Sequence, residues 1–138
     1  MGDLKLTYQV DGGDLVQAGE ASSQMKMTLK KLGLPPEIIR KASVCMYEGE
    51  INMVIHADGG RVEVEVGMDA ITIRLIDQGP GIPDVDRAME EGYSTAGDVA
   101  RDLGFGAGMG LPNMKRYSDE MRIDTTVGVG TTVTMRID

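Results

Sequence analysis

Tryptophan is absent, while phenylalanine, histidine and cysteine each occur once in the 138 residues. Each shortage excludes something. The single cysteine, Cys45, has no partner for an internal disulfide and no cysteine neighbours with which to share a metal, so it fits a reducing compartment and the role of a small buried apolar residue. A formal net charge of −8, with no dense run of Lys or Arg, omits the basic footprint of a nucleic-acid binder. No segment approaches the roughly 20 apolar residues that cross a bilayer, and Met1 to Gln9 contains no basic stretch followed by an apolar run. A soluble, cytoplasmic protein with no membrane contact is expected. At this length, residues 1–138 are expected to form one domain with its own core.

Glycine and methionine are abundant instead, with 19 and 11 copies, which predicts adaptable packing and a segment built from backbone. Leu4, Leu6, Tyr8 and Val10 alternate with polar residues as a strand with one wet face, ended by Gly12 and Gly13. From Asp14 the period changes. Leu15, Ala18, Ser22, Met25 and Leu29 are spaced for a helix stopping at Gly33, before Pro35 and Pro36. A second helix is predicted from Pro36 to Ala57, then two strands with Val62, Val64 and Val66 and with Ile71, Ile73 and Leu75 as inward sets. A short helical piece around Val85 to Glu91 precedes a glycine-rich stretch from Gly92 to Gly110. Leu111 to Tyr117 reads as a helix, and Met121 to Val127 and Thr131 to Ile137 as a closing hairpin turned at Gly128 to Gly130. Strands and helices are segregated, so the fold class is α+β, a mostly antiparallel sheet with helices on one face.

On the second helix Glu48, Asn52 and His56 fall at i, i+4 and i+8, a polar stripe along one face. Beside it run Val44, Tyr47, Ile51, Val54 and Ile55, an apolar stripe expected to be buried. A carboxylate bordering the core is costly unless something uses it, although a hydrogen-bonded boundary residue is the ordinary alternative. Asp77 continues the inward set Ile71, Ile73 and Leu75, so it is expected to share the space of Glu48 and Asn52. After it, Gln78-Gly79-Pro80-Gly81-Ile82-Pro83 makes a turn whose glycines let a flat ligand approach the backbone.

Gly104-Phe105-Gly106-Ala107-Gly108-Met109-Gly110-Leu111 places four glycines at alternate positions before a helix, with Pro112 in its first turn. Free N–H groups at such a point form an anion cradle. The spacing differs from a Rossmann fingerprint, and the Gly-Lys-Ser/Thr ending of a Walker A loop is missing. Thr131 shares its side with Val133, Met135 and Ile137 and is expected to point inward near Asp77, whereas Thr132 faces the other way.

Glu48-x-x-x-Asn52, Asp77-x-Gly79-x-Gly81, the glycine run 104 to 110 and Gly130-Thr131 together resemble, in order and spacing, the Bergerat ATP-binding fold of the GHKL superfamily, a two-layer α/β sandwich. Within it the chain resembles the anti-sigma-factor and serine-protein-kinase family of the SpoIIAB, RsbW and RsbT type, nearly end to end. The stretches Tyr93 to Ala96 and Gly108 to Leu111 carry most of that likeness.

The resemblance implies ATP and Mg²⁺ as cofactors. Asn52 would hold the metal, Asp77 would receive the adenine amino group with Thr131 assisting through water, and Gly79, Gly81 and Ile82 would line the adenine slot. Tyr93 to Gly110 would be a lid in which Gly104, Gly106, Gly108, Met109, Gly110 and Leu111 meet the phosphates. Glu48 would be the general base towards a seryl or threonyl hydroxyl. His56 is expected to be structural or to touch the lid, and Ser94 and Thr95 to serve turn geometry. Arg101, Lys115 and Arg116 are either phosphate-reaching or solvated. Glu50 points round the helix from Glu48 and is expected in solvent. The implied function is a serine/threonine protein kinase acting on a STAS-domain antagonist. Its alternative is a nucleotide-dependent binding switch that sequesters a sigma factor or activates a protein phosphatase without significant transfer. A homodimer is the oligomer the resemblance allows.

Overall fold

Period-two segments find one another across a single antiparallel sheet. The computed structural model describes residues 4–11, 18–56, 59–77 and 110–138. Within them β1 (Leu4–Asp11), β2 (Gly59–Val66), β3 (Ile71–Asp77), β4 (Glu120–Thr126) and β5 (Gly130–Ile137) pair in the order β1-β2-β3-β5-β4. Three helices accompany them among the described residues, α1 (Glu20–Lys31), α2 (Pro36–His56) and α3 (Gly110–Tyr117). The register stacks the inward sets side by side, with Val62 opposite Leu75, Val64 opposite Ile73, and Ile73 in turn opposite Met135. Those rows merge with Met25, Leu29, Cys45, Met46 and Met114 from the helices into one core. The α+β, two-layer arrangement expected from the pattern is therefore the one formed.

Helix α2 is the centre of the helical layer, in contact with α1, α3 and four of the strands. Such a helix must be apolar nearly all round. Ile39, Ala42, Cys45, Met46, Ile51, Met53 and Val54 are all buried. Tyr47, placed by the sequence pattern in the buried stripe, is instead 38% exposed, because α1 covers only part of that flank. Gly49 lets α2 press onto the sheet, since a Cβ there would run into the side chain of Leu75, with Cδ1 at 2.7 Å.

Helix α1 also departs from the expected boundary. It begins at Glu20, not at Asp14, because Gly19 adopts φ 95° and cannot continue a helix in that conformation. Its buried positions Ser22, Met25 and Leu29 are the ones the spacing selected. Gly33, at φ 76°, follows its C-terminus as anticipated.

Candidate functional site

One end of the sheet replaces the apolar rows with a polar one. Asp77 lies opposite Gly60 on β2 and Thr131 on β5, and Thr131 lies opposite Thr125 on β4. All continue the inward sets of their strands. The Thr131 N–H donates to Asp77 Oδ1 at 3.2 Å. The two threonine hydroxyls are 2.8 Å apart, and Thr125 Oγ1 also donates to the Gly130 carbonyl at 3.3 Å. Either threonine hydroxyl can donate in this pair, and the Thr131 oxygen has lone pairs with which to accept. Thr131 is 6% exposed, which bears out its inward orientation. Gly60, at φ 156°, keeps the backbone beside Asp77 free of a side chain; a Cβ there would strike the Ile76 carbonyl and approach the Met53 methyl to 2.7 Å.

Helix α2 brings its polar stripe to the same end. The contacts of Gly49 with Leu75 and of Met53 with Gly60 set the turn carrying Glu48 and Asn52 against the last residues of β3 and the first of β2. Glu48 is half-buried, and that desolvation pushes its carboxyl above the ordinary glutamate value, partly offset by a hydrogen bond from Asn113. Asn113 Nδ2 donates to Glu48 Oε1 at 3.5 Å. Asn113 stands in α3, whose first residues are Gly110 and Leu111. Helix α3 is held on α2 by Met114, whose carbonyl lies 3.7 Å from Cys45 Sγ, and by Tyr117, whose ring centroid is 5.8 Å from the Arg40 guanidinium. Pro112 falls among the first turn's residues, where no intrahelical N–H partner is lost.

Glu48, Asn52, Asp77, Thr131 and the start of α3 thus gather at one end of the two layers. Leu111 is 8% exposed and belongs to the core, so its backbone is what it offers to a ligand. Lys115 and Arg116 are exposed in the last turn of α3. Gly79, Gly81, Ile82, Ser94, Thr95, Arg101, Gly104, Gly106, Gly108, Met109, the short helical piece and most of the lid lie outside the described residues, as does the side chain of His56.

Two polar residues escaped the sequence pattern. Asn113 carries no local signal, being one amide in a short helix. Glu50 was expected in solvent and is instead 3% exposed. Its carboxylate accepts from the N–H groups of Gly19, Ala21 and Ser22 at 3.0, 3.2 and 3.0 Å and from the Ser22 hydroxyl at 2.6 Å. The reason is tertiary: α1 presents an N-terminus with no side-chain cap of its own, and Glu50 supplies the missing acceptors. An open groove of about 490 Å³ runs over this contact between α1 and α2, lined by Gly19, Ser23, Lys26, Ser43 and Tyr47.

Among the described residues no cluster of three or more His, Cys, Asp or Glu side chains could hold a metal ion. No helix among the described residues is long and apolar enough to cross a membrane.

An antiparallel sheet, a helical layer on one face, and an acid and a threonine paired at the sheet end define the two-layer fold of the GHKL class. A family model described as histidine kinase-, DNA gyrase B- and HSP90-like ATPase matches residues 43–138. The Bacillus subtilis serine/threonine-protein kinase RsbT is 33% identical over 108 residues, 75% of each chain. An anti-sigma F factor of Clostridium beijerinckii is 31% identical over 125 residues, 85% of this chain and 84% of the relative. A solved structure of RsbU and RsbW domains from Mycobacterium tuberculosis superposes with a TM-score of 0.64 at 18% identity, covering 97% of this chain. This chain spans 32% of that one, and the likeness concerns the fold. The chain belongs to the GHKL ATPase family, in its branch of anti-sigma factors and serine-protein kinases.

Proposed function

We propose that the protein transfers the γ-phosphoryl group of ATP to a seryl or threonyl hydroxyl of a STAS-domain antagonist, and switches between protein partners as it does so. The observation that carries this reading is Glu48, half-buried one helical turn from Asn52, with burial raising its proton affinity towards that of a useful base. In this reading Glu48 orients and deprotonates the incoming hydroxyl. Asp77, steadied by the Thr131 N–H, accepts from the exocyclic amine of adenine, and Thr131 assists through water. Asn52 would hold Mg²⁺, which supplies charge neutralisation at the phosphates. The first turn of α3, from Gly110, offers N–H groups without intrahelical partners to the same phosphates.

Partner exchange draws support from the relatives, one named a kinase and another an anti-sigma factor. A cytoplasmic setting, a sigma factor or protein phosphatase as second partner, and a homodimer belong to the same proposal. Incubation with γ-labelled ATP and a STAS protein encoded beside this chain tests it. Transfer lost in Glu48→Ala supports the kinase. Nucleotide-dependent partner binding without any transfer would replace it with a pure binding switch.

A further inference from the structure

Glu50 lies midway between Glu48 and Asn52 in sequence, two residues from each, so its side chain leaves α2 roughly 200° round the axis from both. It is nearly inaccessible and takes four hydrogen bonds from one short stretch, Gly19 to Ser22. A carboxylate with both oxygens committed to three fixed backbone donors and a hydroxyl holds its own backbone in register with them. On the sheet side the same turn of α2 is seated by Gly49 against Leu75. The turn that carries the polar stripe is therefore held from two directions, whereas on the stripe Glu48 meets Asn113 at the long distance of 3.5 Å.

We propose that Glu50 is a positioning residue: by holding the N-terminus of α1 it fixes the roll of α2 and hence the direction in which Glu48 and Asn52 present their side chains. The transfer arm of the test below rests on the kinase reading, and the spectroscopic arm does not. A cap that only stabilised α1 would raise the melting temperature and leave the stripe unaffected. A clamp on the roll of α2 must move the stripe when it is released. In Glu50→Gln one oxygen still accepts from Ser22, while an NH₂ group faces the N–H groups of Gly19 and Ala21, so half of the grip is lost.

The experiment uses the ¹⁵N-labelled full chain at a temperature where circular dichroism shows every variant folded. The side-chain amide signals of Asn52 and Asn113 are recorded for the parent, Glu50→Gln, Ser22→Ala and, as a core control at the opposite end of the sheet, Ile137→Val. Phosphoryl transfer is measured on the same samples. Glu50→Gln is expected to displace the Asn52 signal and to lower kcat about tenfold, with KM for ATP changing less than about threefold. Ser22→Ala, which removes one bond and keeps the carboxylate, is expected to move the same signals by less, and Ile137→Val to leave them in place.

Asn52 and Asn113 signals at their parent positions in folded Glu50→Gln, or an unchanged kcat per folded molecule, overturns the proposal. Should Glu50→Gln fail to fold, Ser22→Ala decides on the same signals. A parent that transfers no phosphoryl group removes the kinase reading alone, and the Asn52 and Asn113 signals then decide the clamp.

Discussion

Across the β3–β5 ladder the backbone N–H of Thr131 donates to Asp77 Oδ1 at 3.2 Å, so the acid that ends β3 is steadied by the strand beside it. Replacement by asparagine keeps a carbonyl oxygen for Thr131 and puts an NH₂ donor where a ligand amine would arrive. Asp77→Asn is therefore expected to remain folded and to bind ATP about 10- to 100-fold more weakly, the worth of one hydrogen bond to a charged acceptor. Isothermal titration with ATP and magnesium checks this, and undiminished heat in the variant would remove Asp77 from the adenine site.

Glu48→Gln separates chemistry from binding. The amide preserves shape and an acceptor for Asn113 but cannot take a proton, so transfer is expected to fall about 10²- to 10⁴-fold while ATP affinity stays close to the parent's. Single-turnover transfer alongside equilibrium binding distinguishes the two. Equal losses in both would make Glu48 a binding group.

Proton affinity at Glu48 has a sign that can be measured. Burial raises its pKa above 4.5, so the base is protonated over a wider acid range, and the acid limb of the transfer rate is expected to lie above the ordinary glutamate value. The folded chain also binds more protons here than the unfolded one between the two pKa values. Its contribution to stability is thus most favourable below the ordinary value and declines as pH rises through the window. Denaturant midpoints of parent and Glu48→Gln across that window should converge at its acid end.

Gly49→Ala sets helix propensity against packing. Alanine favours the helix by about 1 kcal/mol. Its methyl group, however, enters the space of the buried Leu75 side chain, and overpacking of this kind costs about 1–3 kcal/mol. The balance falls on the packing side, so a net loss of up to about 2 kcal/mol is expected in urea denaturation. Adding Leu75→Val should recover part of it, and a stabilised Gly49→Ala single variant would mean that α2 is not pressed on the sheet there.

Cys45 is fully buried on α2, and burial, with smaller contributions from nearby acids, pushes its thiol up to about 12. The thiolate is the reactive form. Native protein at mildly alkaline pH should resist a thiol reagent, with full labelling on unfolding. Rapid native labelling would place Cys45 at an opening in the α2–α3 contact.

Much of the frame was written locally. Alternation along Leu6 to Val10, Val62 to Val66 and Ile71 to Leu75 specified which side chains face the core, and their burial follows it, whereas Leu4 at the start of β1 stays 42% exposed. The inward turn of Thr131 followed from the same parity. Such patterns are legible because a strand repeats every two residues and a helix every 3.6, whatever they pack against.

What the chain could not announce is how those faces meet. Glu50 looks like a solvent residue on a helical wheel, and only the arrival of an uncapped α1 from about 30 positions away gives its carboxylate four donors. Tyr47 matched the apolar stripe and still reached the surface, because the width of a neighbour's cover is set by packing and not by spacing. Asn113 meets Glu48 for the same reason, across 65 residues. Local periodicity determined the elements and their inner faces. The partners of the buried and half-buried carboxylates were decided by tertiary packing, since a hydrogen bond between distant segments has no period in the sequence.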